Sequence, residues 1–407
     1  MAEENQVNVV SSGGKSDNFE TALFALAFRP FFLFGALFAV LVMVVWIAAL
    51  NQELPMKFYG GAFFWHVHEM LFGYVAAIVV GFLLTAVQNW TGERSVNGLA
   101  LGVLLLLWIT ARVGLLFIHE PNIWIASIDI SFFVVAAVFL AIPIVAARQW
   151  RNLFFVPVLA LFAFANGMMH LGALNQEHAL VVNGADGALG LICLLMVTMG
   201  GRIIPVFTAN GTATARVPPW PWLERLSLGS VWLIVIVLLP GLDRQLPAYV
   251  MCGLFGFAAI TNFVRWFRWR FWITFGVALL WTLHLAYLFI VAGFAALAVS
   301  YVTGSFAASI AWHLVTVGGI GGLTLSMISR VSLGHTGRPI VALKWMLPAY
   351  VAVFVAAITR TLMVVLMPAQ YSLWLQVSAG LWILAFGSFV GCYALMLIRP
   401  RTDGRPG

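Results

Sequence analysis

The chain has 407 residues, of which 63% are hydrophobic and only 9% are charged. A water-soluble domain has about a quarter of its residues charged, so this composition excludes a soluble protein. The formal net charge of +7 is carried by basic residues that lie between apolar runs. This distribution is a membrane-topology signal and does not indicate nucleic-acid binding.

Continuous apolar runs dominate the chain after a polar start. Residues 1–20 predict a disordered tail, residues 21–398 a membrane domain, and residues 399–407 a second tail. A spanning helix needs roughly 20 mostly apolar residues, which predicts an all-α polytopic membrane protein with about twelve transmembrane helices. The predicted spans are 30–50, 64–87, 97–118, 123–147, 153–175, 180–207, 226–242, 246–265, 271–300, 307–329, 341–366 and 371–398. The seventh and eighth would be one interrupted region if the segment 240–247 were a break within it.

The basic residues predict the orientation of these spans. If the N-terminus is cytoplasmic, seventeen Lys and Arg residues fall in cytoplasmic segments, and the outer loops hold only Lys57 and Arg244. Arg112 and Arg360 lie within predicted helices. An excess of Lys and Arg marks the cytoplasmic side, so both termini are expected in the cytoplasm.

Ionisable side chains inside the predicted helices are candidates for function, because such groups are expensive in a bilayer. By residue count they fall in the outer half of the membrane or near its midplane. Five histidines at similar depth on four helices predict a shared polar cavity, although any one of them could simply hydrogen-bond across a helix interface. Neutral imidazole ligates haem iron and copper. The predicted metal ligands are His66, His68, His170, His284 and His313.

His66 and His68 point about 200° apart on a regular helix, so one metal takes both only if the helix is unwound there. Glu69 shares the face of His66 through the three-residue spacing, and we expect it to be the catalytic, proton-handling group. Arg112 and Arg360 are candidates to bind haem propionates, since guanidinium pairs well with carboxylates. For Arg112, an ion pair with Asp129 on the next helix is the alternative.

A second group of motifs lies at the predicted cytoplasmic face. It includes Arg202 in the run 200–205, Arg330, and His335 in the run 334–339. Glycines in these runs allow close backbone approach, and arginines supply anion contacts. The group predicts either a second cofactor-binding site, formed by these three residues, or ordinary helix-end turns.

The chain resembles the NnrS family in several motifs that extend over about three quarters of its length. They are residues 28–32 (FRPFF), 65–73 (WHVHEMLFG), 89–92 (NWTG), 201–205 (GRIIP) and 330–339 (RVSLGHTGRP). The resemblance implies a bacterial inner-membrane protein that carries haem and copper and accompanies denitrification or nitrosative stress. The family's motif histidines correspond to His66, His68 and His335.

The chain does not resemble the catalytic subunit of a haem-copper oxidase. That subunit needs an adjacent His-His pair for copper and a late His-x-His for its haems. Here the only His-x-His lies in the second predicted helix, and the sequence contains no His-His pair. A similar chemistry would therefore require a different arrangement of ligands.

These observations predict a haem b protein, with copper as a further metal, that binds nitric oxide from the outer side of the membrane. Reduction of nitric oxide would require protons and an electron donor that the sequence does not identify. His66, His284 and His313 are the favoured ligands. One alternative is a transporter or channel for a metal, haem or a small anion. Another is a non-enzymatic sensor or scaffold, which the lack of a soluble domain disfavours.

Overall fold

A computed structural model describes residues 22–52 and 57–404. The predicted tail 1–20, the loop residues 53–56 and the last three residues lie outside the described part. Within the described part, all regular secondary structure is helical. Twelve helices are long and apolar enough to cross a membrane. The prediction of an all-α, twelve-span membrane protein is confirmed.

The twelve helices follow the predicted order, and we number them α1 to α12. The seventh and eighth spans are separate helices, joined by a loop with a short 3₁₀ turn. The bounds are α1 Phe28–Leu50, α2 Ala62–Thr91, α3 Gly98–Phe117, α4 Ile123–Ala146, α5 Trp150–Asn175, α6 His178–Thr212, α7 Pro221–Leu238, α8 Ala248–Arg268, α9 Ala278–Thr303, α10 Ala308–His335, α11 Lys344–Leu366 and α12 Pro368–Ile398.

Three helices form the centre of the bundle. In α2, 83% of the most apolar window is buried, and in α6 and α10 the figure is 72%, against 33–56% for the other nine. Small residues allow this close packing. On α6, a Cβ at Gly184 would collide with the backbone of α5, and one at Gly187 would collide with Leu239. The core therefore lies around α2, α6 and α10, and the other helices present one face to lipid.

Three helices contain a π-helical segment. These segments are Glu69–Val75 in α2, Leu314–Gly321 in α10 and Thr359–Met363 in α11. A π-helical turn adds a residue to the helix and often lies at a functional site. Each segment adjoins or contains a residue predicted for function, namely Glu69, His313 or Arg360. The three π-helical segments thus lie at or next to three of the ionisable residues predicted for function.

Several helix ends differ from the predicted ones. Helix α9 begins at Ala278 rather than at residue 271, because Phe271–Thr274 forms a separate 3₁₀ turn. Helix α10 extends to His335, where Arg401 Nη1 donates to the His335 carbonyl at 2.9 Å. The backbone N–H of Thr402 donates to the Thr336 carbonyl at 3.1 Å. The described part of the predicted C-terminal tail is therefore anchored to the turn after α10.

Each successive span reverses direction, so α1 begins and α12 ends on the same side of the bundle. We call this side the basic end, because most arginines lie there, and we call the other side the distal end. Two of these arginines, Arg29 and Arg265, are only 1% and 2% exposed. These two arginines lie inside the bundle and are therefore not part of its basic surface.

Candidate functional site

A polar cluster is buried between α2, α3, α4 and α5 towards the distal end. Its side chains are almost fully buried, with His68 and Asp129 at 0% exposure and His170 at 1%. Polar groups in such a position must be hydrogen-bonded or paired to be tolerated. The members of this buried polar cluster are Tyr59, His68, Glu69, Arg112, Asp129, Asn166 and His170.

Asp129 is the hub of the buried polar cluster. Its Oδ2 lies 3.1 Å from His68 Nε2 and 3.2 Å from His170 Nε2. The same oxygen accepts a hydrogen bond of 2.8 Å from Asn166 Nδ2. The other oxygen, Oδ1, accepts from Arg112 Nη2. One carboxylate thus joins helices α2, α3 and α5 to α4.

Arg112 is held by two carboxylates. It bonds Asp129, and its Nη1 donates to Glu69 Oε1 at 2.7 Å. The ion pair with Asp129, given above as the alternative for this residue, is therefore what the structure contains. Glu69 also bonds His68 Nδ1 at 3.0 Å. Glu69 thus pairs with its neighbour His68 and not with His66, at the point where the π-helical segment of α2 begins.

Both ring nitrogens of His68 face acceptors. Nδ1 lies against the Glu69 carboxylate, and Nε2 lies 2.9 Å from Asn166 Oδ1, beside Asp129. With acceptors on both sides, the ring carries a proton on each nitrogen and is an imidazolium. Its charge and that of Arg112 balance the two carboxylates. The buried polar cluster is then neutral, which a low-dielectric site requires.

The His170 ring lies between the Tyr59 hydroxyl and the Asp129 carboxylate. The Tyr59 hydroxyl lies 3.1 Å from His170 Nδ1 and accepts a hydrogen bond of 3.1 Å from the Asn122 N–H. Burial raises the pKa of the Tyr59 phenol, which keeps it protonated as a donor. The Tyr59 hydroxyl also lies 3.3 Å from the Asn122 carbonyl, so its one proton serves either that oxygen or His170 Nδ1. His170 Nε2 faces the Asp129 carboxylate on the opposite side of the ring.

The buried polar cluster contains a group that could hold a metal ion. Ligand atoms of His68, Asp129 and His170 lie within 4.8 Å of one another. Two imidazoles and a carboxylate suit a transition metal. A monovalent cation in place of the proton on His68 Nε2 would leave the net charge unchanged, whereas a divalent cation would add one positive charge. Both histidines are predicted from the sequence, whereas Asp129 is predicted there only as a partner of Arg112. The signal for Asp129 in the sequence is its position on the helix that follows Arg112.

His66 and His313 lie in a second place, together with Arg360. Arg360 is a charged neighbour of both imidazoles, and His66 is a neighbour of His313. The His66 ring stacks on Trp46, with centroids 4.2 Å apart and an angle of 17°. All three side chains are only partly buried. We call this group the imidazole gap; it joins α2, α10 and α11 at the distal end.

The ring nitrogens of His66 and His313 make few hydrogen bonds with the protein. His66 Nδ1 is buried and has no hydrogen-bond partner. His313 Nδ1 bonds the Ser309 carbonyl one turn earlier in α10. Because a carbonyl only accepts, Nδ1 carries the proton and Nε2 keeps its lone pair. This is the tautomer of a histidine that ligates through Nε2.

His284 belongs to neither group. Its Nε2 lies 2.8 Å from the Thr208 hydroxyl on α6, and its Nδ1 has no partner. Because α9 begins at Ala278, His284 lies less than two turns from the basic end rather than at the middle of a span. The structure therefore divides the five predicted histidines among three places and does not bring them into one cavity.

The three residues predicted as a second cofactor-binding group do not converge either. Arg202 donates to Asn152 Oδ1 at 3.0 Å, and Arg330 lies over the Phe207 ring at 4.1 Å. The His335 ring packs against Phe28, with centroids 5.5 Å apart. These contacts belong to different helix pairs at the basic end. We find no single site that includes all three among the described residues.

The glycines before Arg202 have a packing role that the sequence did not reveal. A Cβ at Gly201 would collide with the Arg265 guanidinium, and one at Gly200 would press on the Tyr287 ring. Arg265 is buried, and its Nε donates to Glu224 Oε1 at 2.9 Å. Arg265 also donates to the Val197 carbonyl of α6 and to the Tyr287 hydroxyl of α9, so this one side chain joins α6, α7 and α9 to α8.

Comparison with known proteins agrees with the motifs. The sequence matches the family described as NnrS protein over residues 22–401, which is nearly the whole chain. No curated protein matches the sequence. The structure thus combines twelve apolar spans, a buried His/Asp group that could hold a metal, and a family match along the whole membrane domain. This chain belongs to the NnrS family.

Proposed function

We propose that this protein of the bacterial inner membrane holds haem b in the imidazole gap and binds nitric oxide there. His313 would hold the haem iron through Nε2, His66 would face the haem from α2, and Arg360 would pair with a haem propionate. A haem held there would supply a redox-active iron to which nitric oxide could bind. The basic end faces the cytoplasm, so the imidazole gap lies in the outer half of the membrane.

The single observation that carries this proposal is the hydrogen bond from His313 Nδ1 to the Ser309 carbonyl. It orients the ring and leaves Nε2 unused in a membrane interior where unpaired nitrogens are costly. His66 supports the same reading, because its buried Nδ1 has no partner in the protein. Arg360 has no carboxylate partner among the described residues, and a propionate would supply one.

The buried polar cluster is the proposed site for a second metal, for which copper is the candidate. His68, Asp129 and His170 would supply the ligands, and a copper(I) ion in place of the His68 Nε2 proton would keep the cluster neutral. Glu69 lies between His68 and Arg112 in the buried polar cluster and is the proposed proton-handling residue. Reduction of nitric oxide to nitrous oxide would consume protons and electrons, so enzymatic turnover requires an external electron donor.

Optical spectroscopy of the detergent-purified protein tests the proposal. We expect a Soret band that shifts on reduction with dithionite and shifts again when nitric oxide is added. Production of nitrous oxide with an artificial electron donor would make the protein an enzyme, whereas binding without turnover would make it a nitric oxide-binding protein. A flat visible spectrum of folded protein, expressed with haem and copper supplied, would refute the haem site and favour the transporter.

A further inference from the structure

A cleft opens where α1 and the three central helices meet, in the half of the bundle nearer the basic end. We call it the central cleft. Several of its side chains, among them Phe82, Met199 and Met327, are only partly buried although they lie on central helices. The cleft is lined by Phe32, Ile78, Val79, Phe82, Leu83, Leu195, Met196, Met199, Gly200, Ile203, Leu323, Thr324 and Met327.

The wall of the central cleft offers an occupant almost only apolar contacts. Its one polar side chain, Thr324, donates to the Ile320 carbonyl at 2.7 Å and lies 2.5 Å from the Tyr74 hydroxyl. The hydroxyl is therefore already used inside the protein. Methionines are flexible and adapt their shape to an apolar partner. A hydrocarbon chain suits this wall, whereas a hydrated ion does not.

A cation without an acidic partner lies just beyond the cleft. Arg330 follows Met327 by three residues on α10, and it stacks on Phe207, which follows Ile203 by four residues on α6. No carboxylate of the described residues contacts its guanidinium, and it is partly buried. A guanidinium in this position is costly unless an anion pairs with it.

Arg330 lies close to the basic end of α10. It precedes the end of α10 at His335 by five residues, which is about 8 Å along a helix. A ligand that fills the cleft with hydrocarbon would place its polar end beside Arg330. Guanidinium binds phosphate oxygens in a bidentate manner. The occupant is therefore an amphiphile with an anionic, phosphate-bearing headgroup.

We infer that the central cleft binds an anionic phospholipid from the membrane leaflet at the basic end, with an acyl chain between α2, α6 and α10 and its phosphate on Arg330. The site is separate from the imidazole gap and does not depend on haem. It assigns a ligand to Arg330, which otherwise has only a ring contact. Bound lipid would hold the three central helices together at this end.

Native mass spectrometry of the full-length protein tests this inference, after detergent delipidation and titration with phosphatidylglycerol or phosphatidylcholine. We expect the wild-type protein to bind phosphatidylglycerol, and to bind it more tightly than phosphatidylcholine. Arg330→Gln should weaken phosphatidylglycerol binding by roughly tenfold, as expected for the loss of a charge-assisted hydrogen bond, and should remove the preference. Arg94→Gln, an exposed cation at the same end, should behave like wild type.

A second variant tests the apolar part of the site. Met199→Trp fills the cleft and should displace both lipids; Ile203→Trp serves the same purpose if the first variant does not fold. Equal binding of the two lipids by wild type, or unchanged phosphatidylglycerol binding in Arg330→Gln, would overturn the inference. Binding of a long-chain fatty acid but not of phosphatidylglycerol would overturn it as well. The haem spectrum, recorded on the same samples, keeps this result separate from the proposed function.

Discussion

His66 and His68 lie two residues apart on α2, yet their rings have entirely different surroundings. His68 is enclosed between the carboxylates of Glu69 and Asp129. His66 stacks on Trp46 and leaves its buried Nδ1 without a partner. The helical rotation between the two positions sends one ring into the buried polar cluster and the other into the imidazole gap. One short motif on a central helix therefore serves two sites.

The imidazole gap predicts which histidines are needed for haem. We expect His313→Ala and His66→Ala to lower the haem content of the purified protein, on the order of tenfold for His313, whose tautomer is fixed for ligation. His284→Ala should keep its haem, since His284 lies against Thr208 in another part of the bundle. The haem-to-protein absorbance ratio measures the effect. Loss of haem in His284→Ala, with His313→Ala unaffected, would reverse the assignment.

Asp129 should be essential for stability, because it contacts two histidines and an arginine in the protein interior. Asp129→Asn leaves Arg112 and His68 short of a negative charge, and removing one partner of a buried ion pair costs about 3–5 kcal/mol. We expect a large fall in the thermal unfolding temperature in detergent. Glu93→Gln is the control, since Glu93 is exposed and its change should stay within about 0.5 kcal/mol. Equal stability of the two variants would contradict the arrangement described for Asp129.

The metal-capable group predicts the effect of removing a ligand. Elemental analysis of wild type expressed with copper should find the metal bound, and His170→Ala should lose most of it, because a metal-ligand histidine is replaced. His178→Ala is the matched control, as His178 is exposed at the start of α6. If folded wild-type protein contains no metal, the prediction is wrong. The proton on His68 then supplies the positive charge that balances the carboxylates.

The packing of Gly201 predicts a sharp difference between two glycine substitutions. In Gly201→Ala the new methyl group would displace the Arg265 guanidinium from Glu224, and disruption of this largely buried pair should destabilise the protein by about 3 kcal/mol or more. Gly229→Ala on α7 meets open space, and it should be neutral or stabilising by up to about 1 kcal/mol. Thermal unfolding of both variants decides the matter. A Gly201→Ala variant as stable as wild type would mean that the Arg265 side chain can move without a loss of stability.

The sequence by itself determined the class of the protein and its number of spans. Composition, run length and the positions of the basic residues depend on the bilayer as a solvent, and this solvent acts on each segment separately. Single residues could also be recognised as unusual in that solvent, which is why His66, Glu69, Arg112 and Arg360 were found. Neither inference requires knowledge of which helices are neighbours.

Only the tertiary structure decided how these residues group. Depth along a helix follows from counting, but the direction of a side chain depends on π-helical segments, which change the rotation after Glu69, His313 and Ile358. The sequence also does not show which helices are neighbours. The central position of Asp129 in the buried polar cluster and the buried ion pair of Arg265 are therefore visible only in the packed structure. Contacts between helices distant in sequence arise from the shapes of their surfaces, and a single sequence does not encode them as a local pattern.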